Sequence, residues 1–209
     1  MLAVEISPYF FSREKRIFDI LVSIFLLALL VPLFLIISIL IIFTSGFPIF
    51  FIQDRIGRDK KRFKIIKFRT MYPHAHKDQK KYWKLNESPF PAFKLADDPR
   101  FVGIGKWLSK TGLDELPQLI NILRGEMSLI GPRPLPPLEA KKMTGSWDFR
   151  YKVRPGVISL WALSDKRHKS LKHWQRLEIQ TLKKANLLKD FLIIFQSIKV
   201  PLKNGRNHY

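Results

Sequence analysis

Asp114 and Glu115 are adjacent carboxylates, followed at once by Leu116-Pro117-Gln118. Two neighbouring acids can divide a reaction between them: one attacks an electrophile or binds a metal ion while the other moves a proton. Cations stand on either side in the chain. Lys67 and Arg69 precede the pair, and Arg133 and Arg154 follow it in the turns Gly131-Pro132-Arg133-Pro134 and Val153-Arg154-Pro155-Gly156. The chain has 37 Lys and Arg against 17 acids, a formal net charge of +20. So positive a balance calls for an anionic partner: nucleic acid, anionic lipid or a phosphorylated substrate. With no cysteine, disulfides, thiolate zinc sites and cysteine nucleophiles are excluded.

The acids need an element to hold them. Leu113, Leu116, Ile120 and Leu123 recur at spacings of three and four, one face of a helix. Gly125 suits its C-terminal end, and Pro117, lacking an N–H, fits only near its start. The spacing therefore predicts a helix beginning near Thr111–Asp114, where Thr111 and Asp114 can form a capping box. That placement sets both acids at the positive end of the helix dipole, among orphan N–H groups, which favours ionised carboxylates. Adjacent helical residues point about 100° apart, so the acids flank one volume. A first turn that merely caps its helix explains the same two residues; the surrounding cations argue for chemistry. From Phe63 to Met71 apolar and basic residues alternate, the period of a half-buried strand. Lys67 and Arg69 would share one face of it, either solvated or meeting a phosphate or lipid headgroup.

Between Ile20 and Phe43 no charged residue occurs, a run long and apolar enough to insert in a membrane. No small-residue cleavage site follows, so it is not read as a signal peptide. Arg13, Lys15 and Arg16 lie before it, and Arg55, Arg58, Lys60, Lys61, Arg62 and Lys64 after it. Basic flanks favour the cytoplasmic side, so both ends ask for the same side. Pro32 lies near the middle. A helix that breaks at Val31-Pro32 and returns to its own face fits, with Ser23 or Ser38 serving freed backbone groups. A single kinked span fits as well.

The remainder reads as a mixed domain. Ile49–Ile52 is a short strand-like run and Arg55–Lys60 a turn. Residues 72–99 are polar, with Tyr82, Trp83, Phe90 and Phe93 suited to a membrane interface. His74 and His76 lie in this polar stretch, and His168, His173 and His208 are scattered, so no histidine set is read as a metal site. Residues 138–151 look helical. Leu171–Lys199 is read as a helix pair broken near Asn186, with an amphipathic face of Phe191, Leu192, Ile194, Phe195 and Ile198. The organisation expected is a lead and membrane helix over 1–47, a domain over 48–202 and a tail over 203–209.

Seven motifs in order carry a resemblance over about 140 residues. They are Arg16-x-x-Asp19 before the proline-broken helix, Pro48-Ile-Phe-Phe-Ile-Gln53-Asp-Arg55-Ile-Gly57, Phe63-x-Ile-x-Lys67-Phe68-Arg69-Thr70-Met71, Asp98-Pro99-Arg100, Leu113-Asp114-Glu115-Leu116-Pro117-Gln118-Leu119, Gly125-Glu-Met-Ser128-Leu-Ile-Gly131-Pro132-Arg133-Pro134 and Arg154-Pro155-Gly156. Together they make the chain resemble the bacterial sugar transferases of the small monotopic phosphoglycosyl transferase family. The resemblance implies a small, mixed, helix-rich α/β domain on the cytoplasmic face of the bacterial inner membrane, with a re-entrant helix broken at Pro32. It implies transfer of a sugar 1-phosphate from a UDP-sugar to undecaprenyl phosphate, releasing UMP, at the start of glycan assembly. By match, Asp114 is nucleophile and Mg2+ ligand and Glu115 its partner. Lys67, Arg69, Gln118, Arg133 and Arg154 are the substrate-binding candidates. Membrane lipid is an implied partner, nucleic acid is not, and a homo-oligomer or glycan-assembly partners are compatible with it.

The chain departs from the family pattern at Ser109, where an arginine is usual, at Gly112 in place of serine, at Ile158-Ser159, and at Asp165-Lys166. These departures raise a second reading, a catalytically weakened member acting as a membrane scaffold. A third is a membrane-anchored polyanion binder. Against it, the cations are spread through the chain and interrupted by the Asp-Glu pair.

Overall fold

The computed structural model describes residues 4–88, 93, 95, 97–164 and 170–204. Phe90, Asp165, Lys166, His168, His208 and the side chain of Ile198 lie outside the described residues, as does most of the tail.

After a short 3-10 turn at Pro8–Phe11, helix α1 (Arg13–Leu29) runs into helix α2 (Val31–Ser45) with a bend of 61°. The break falls at Leu30, and Pro32 sits in the first turn of α2, where its missing N–H leaves no bond unmade. No single described helix is long and apolar enough to cross a membrane, though the bent pair together is. Leu21, Phe25, Leu29, Leu35, Ile36, Ile39 and Phe43 on the pair are exposed. The serines do not serve the break: Ser38 Oγ donates to Phe34 O at 2.7 Å, and Ser23 Oγ meets no partner among the described residues.

Both ends of this pair are tied to the same body. In the lead, Ser7 donates its N–H to Leu182 O (3.0 Å) and its hydroxyl to Ala185 O (2.8 Å). Phe10 is buried in one core with Trp147, Trp161 and Trp174. Lys15 reaches Asp19 (2.8 Å) and Asp190 (2.7 Å), all three buried. At the far end Ile37 and Ile41 of α2 pack with Phe68 and Leu108.

Strands β1 (Phe50–Ile56) and β2 (Arg62–Phe68) form an antiparallel hairpin with Phe51 opposite Lys67, Gln53 opposite Ile65 and Arg55 opposite Phe63. Arg55 therefore lies in a strand rather than in the expected turn, which is confined to Gly57–Lys61. Strand β2 stops at Phe68, so Arg69 is off it and shares no strand face with Lys67. Helix α3 (Gly105–Thr111) and helix α4 (Gln118–Leu123) replace the single helix predicted from Thr111. Gly112 at φ 74°, a left-handed conformation glycine takes readily, separates α3 from a 3-10 turn at Leu113–Glu115. The buried face of α4 is Gln118, Leu119, Asn121 and Ile122, rotated from the predicted stripe, in which Leu123 is exposed. Thr111 donates to Trp107 O and Leu108 O, so no capping box with Asp114 forms.

Strands β3 (Ser128–Ile130) and β4 (Gly156–Ile158) pair in parallel, joined by a crossover containing helix α5 (Pro137–Lys142) and a 3-10 stretch at Gly145–Lys152. They approach so closely that a Cβ on Gly156 would sit 2.0 Å from Gly131 N. Helix α6 (Leu160–Leu163), helix α7 (Leu171–Lys183) and helix α8 (Leu187–Asn204) complete the helix-rich α/β fold. The exposed side of α8 carries Leu188, Phe191, Leu192 and Phe195, with Phe191 packed edge-on to Phe18 of α1 (4.8 Å).

Candidate active site

One face of the β1–β2 hairpin, the Leu113–Gln118 segment, the Arg133–Pro134 turn and the start of β4 line a small, partly open cleft. Its lining includes Arg55, Lys67, Glu115, Gln118 and Arg133. Strand register puts the first two there, because residues paired across an antiparallel ladder point to the same side. Asn121 fixes α4 against that strand. It is fully buried, donates to Lys64 O (2.8 Å) and accepts from Ile66 N–H (3.1 Å).

The acids meet one lysine. Lys67 Nζ lies 2.6 Å from Glu115 Oε1 and 3.6 Å from Asp114 Oδ2, and Arg133 Nη1 lies 3.6 Å from the same Glu115 oxygen. The two carboxylates are therefore unequal. Burial raises the Asp114 carboxyl to about 6, with Lys67 opposing and the Glu115 charge reinforcing the rise. Burial pushes Glu115 upward too, but Lys67 and Arg133 together outweigh it and hold Glu115 well below its ordinary value. Burial and these neighbouring charges, rather than the end of a long helix, set the ionisation of the pair, and Asp114 is shifted in the direction opposite to the one expected from a helix start. Near neutral pH both are carboxylates, Glu115 already engaged and Asp114 touched only by the longer contact.

Arg133 is held by its own backbone. Its N–H donates to Glu178 Oε1 (3.4 Å), and its carbonyl accepts from Arg150 (2.7 Å). Arg150 and Glu178 form a buried pair at 2.9 Å, and Trp174 also donates to Glu178 (2.8 Å). The Arg133 guanidinium lies 5.8 Å from the Trp161 ring. Nothing in the local sequence around Arg133 announces Arg150 or Glu178 as its support.

Of the sequence candidates, the structure brings Asp114, Glu115, Lys67, Gln118 and Arg133 together. It places two elsewhere. Arg69 is buried and donates to Ser45 O, Gly46 O and Phe47 O, closing the loop after α2. Arg154 donates its Nε–H to Gly125 O (2.8 Å), beside Arg16, which caps Ile122 O (2.7 Å) and Leu123 O (3.1 Å) at the end of α4. Pro32 belongs to the α1–α2 bend, away from the cleft. Ser109 is exposed on α3 and does not line the cleft. Arg55, which the sequence placed in a turn, does line it. Its Nε and Nη1 and the Gln118 Nε2 are buried and meet no hydrogen-bond partner among the described residues. Burial, and then Arg133, lower the Arg55 guanidinium to about 10.

Among the described residues no group of three or more His, Cys, Asp or Glu side chains converges on one point. Mg2+ is commonly held by one or two carboxylates with substrate phosphates and waters completing its shell. Asp114 and Glu115 fit that pattern, with the phosphate oxygens supplied by a ligand.

A family model described as bacterial sugar transferase matches residues 10–204. The chain is 38% identical over 189 residues to the exopolysaccharide production protein ExoY of Sinorhizobium fredii, covering 88% of this chain and 84% of that protein. It is 35% identical over 195 residues to the UDP-galactose-lipid carrier transferase of Erwinia amylovora, covering 90% of this chain and 40% of that protein. It is 33% identical over 195 residues to the undecaprenyl-phosphate galactose phosphotransferase of Salmonella typhimurium, again covering 90% and 40%.

Proposed function

The chain belongs to the bacterial sugar transferase family and is a phosphoglycosyl transferase, and from that premise we propose that it moves a sugar 1-phosphate from a UDP-sugar to undecaprenyl phosphate. Two of the relatives are named for a UDP-sugar or for undecaprenyl phosphate. The observation that carries the reading is the inequality of the acids: Glu115 is engaged by Lys67 at 2.6 Å and by Arg133, while Asp114 meets Lys67 only at 3.6 Å.

In this mechanism an Asp114 carboxylate oxygen attacks the phosphorus that bears the sugar. The bond from that phosphorus to the bridging oxygen breaks, and UMP departs with the oxygen. An oxygen of the lipid phosphate then attacks the same phosphorus and displaces Asp114 as a carboxylate. Lys67 and Arg133 offset the repulsion between Asp114 and the anionic diphosphate. Glu115 holds Lys67 at the reacting end, at 2.6 Å. Mg2+, held by Asp114 and Glu115 with phosphate oxygens, would add charge neutralisation during transfer.

The α1–α2 pair is read as re-entrant, entering one leaflet and returning to the cytoplasmic side of the inner membrane. Its exposed apolar side chains and 61° bend support this. So does the docking of Ser7 and Phe10 onto the body that also follows α2, since a crossing helix would part the two. The chain lacks cysteine, so single cysteines at the exposed Glu5 and Lys152 can be labelled selectively. Both should resist an impermeant thiol reagent outside intact cells; labelling of Glu5→Cys alone would mean a true span.

The test of the reaction is release of UMP from a panel of UDP-sugars with undecaprenyl phosphate. With donor alone, mass spectrometry should find a sugar-phosphate adduct on the peptide carrying Asp114. Release of UMP with no adduct, and undiminished by Asp114→Asn, would defeat the covalent route.

A further inference from the structure

The cleft contains more hydrogen-bond donors than the protein satisfies. Lys67 and Arg133 each approach Glu115, but no ion pair closes on Arg55 among the described residues. Two of its guanidinium nitrogens are buried without an acceptor. On the opposite wall Gln118 is 1% exposed, and its side-chain N–H2 is likewise unpartnered. An unpaired buried guanidinium is unfavourable. Beyond the cleft, buried Arg100 is paired with Asp98 and buried Arg150 with Glu178, while buried Arg69 spends both terminal nitrogens on backbone carbonyls and leaves only its Nε unpartnered. Arg55 is different because it borders open volume.

The strand register says where in that volume. Arg55 is opposite Phe63 and Lys67 opposite Phe51, so both cations share one sheet face, separated along it by the length of four residues. That is roughly 13 Å between backbone positions. Lys67 contacts the acids directly, while Arg55 stands farther along the same face, near enough to Glu139, Glu115 and Arg133 to be felt electrostatically but closing no ion pair with either acid among the described residues. A ligand that engages Asp114 and also meets the unpartnered Arg55 donors presents acceptors to them. Phosphoryl oxygens do so, and a planar guanidinium takes two of them side by side.

We infer that Arg55 is a phosphoryl-binding residue, its Nε–H and Nη1–H donating to a phosphoryl group held in the cleft beyond Asp114, with the Gln118 amide donating from the facing wall. The inference rests on the transferase reading for the source of that group, which is either the donor's diphosphate or the lipid monophosphate, but not for its binding.

The test uses the full chain in nonionic detergent, with inorganic pyrophosphate and a short-chain isoprenyl monophosphate as the two probes. Without ligand, Arg55→Met and Arg55→Gln should melt at or above the temperature of the unsubstituted protein, because an unpaired buried charge has been removed. Probe binding should raise the melting temperature of the unsubstituted chain, with apparent affinity reduced about 10- to 100-fold in both variants. A loss confined to pyrophosphate assigns Arg55 to the donor side; a loss confined to the isoprenyl phosphate assigns it to the acceptor. The inference is overturned if both variants melt well below the unsubstituted chain, or if both probes bind the variants normally, or if neither probe binds the unsubstituted chain. UMP release measured in parallel separates the two readings. A chain that binds a probe through Arg55 yet releases no UMP refutes transfer and leaves Arg55 a phosphoryl-binding residue.

Discussion

The Lys15–Asp19–Asp190 cluster beside α1 and the Lys67–Asp114–Glu115 cluster in the cleft have the same composition, two carboxylates and a lysine removed from water. Their completion differs. In the first, Lys15 makes two contacts below 3 Å, Asp19 also accepts from Leu129 N–H (3.2 Å) and Asp190 from the Tyr9 hydroxyl (3.2 Å). In the second, Lys67 sits 2.6 Å from one acid and 3.6 Å from the other. Unsatisfied donors on Arg55 and Gln118 lie nearby. A completed buried network rigidifies its surroundings, whereas an incomplete one is costly unless something else fills it. The first cluster fastens α1 to α8; the second is arranged for a partner the protein does not itself provide.

The largest consequence falls on Asp114. Asp114→Asn keeps the shape and removes the nucleophile, and UMP release should drop by about 10⁴-fold or more, the scale seen when a catalytic nucleophile or its activating group is lost. Stability should move the other way. The folded value of about 6 lies above the ordinary 3.8. The contribution of Asp114 to stability is therefore complete below about pH 4 and is lost as pH rises through about 6. Asp114→Asn should then melt no lower than the unsubstituted chain at pH 7 and should lose that decline. A marked fall in melting temperature would make Asp114 structural and erase the contrast. Lys15→Met should show the opposite pattern. Removing one partner from a buried pair costs about 3–5 kcal/mol. The melting temperature should drop on the order of 10 °C, while the variant that stays folded at low temperature retains the donor reaction.

How much of this was legible depended on how local each cause is. Pro32 lacks an N–H, so the bend in the apolar run was readable within about two residues. Asp114, Glu115 and Gln118 lie within one short segment and had to be neighbours. The face of α4 was not readable. Gly112 at φ 74° and Pro117 cut the predicted helix short, and Asn121 then turned α4 by bonding to β2, a contact made across 55 residues of sequence. Arg69 and Lys67 have the right spacing for one strand face, but the strand ends between them, and the carbonyls that end α2 claim Arg69. Arg55 was hidden by the same kind of boundary, because β1 continues through it to Ile56.

Arg69 and Lys67 consequently allow a second, smaller test. Lys67→Ala removes a cation from the reacting end and should slow turnover per folded molecule about 10- to 100-fold, with some fall in melting temperature because Glu115 loses its 2.6 Å partner. Arg69→Ala exposes three backbone carbonyls around the loop after α2 to loss of their donor. It should lower the melting temperature and reduce the amount of folded protein, while activity per folded molecule changes far less. If both variants lost activity equally per folded molecule, Arg69 would have to act in the cleft after all.

The smallest expected effect is a displacement of a pH profile, and it bears on the inequality of the acids. Attack requires the Asp114 carboxylate, so the first turnover of donor should accelerate as pH climbs through about 6 and level off above it. Glu115 raises Asp114 through like charge, and it also occupies Lys67. Glu115→Gln removes the repelling charge and releases Lys67 to approach Asp114 more closely. Both changes favour the Asp114 carboxylate, so the acid limb should move to lower pH even as the plateau rate falls. Arg55, at about 10, stays charged across that range and cannot generate the limb itself. A rapid-quench measurement of UMP release with donor alone isolates this step from the lipid reaction. A limb that moved upward, or stayed in place while the plateau fell, would mean that Glu115 does not set the ionisation of Asp114, and the division of labour between the two acids would have to be drawn differently.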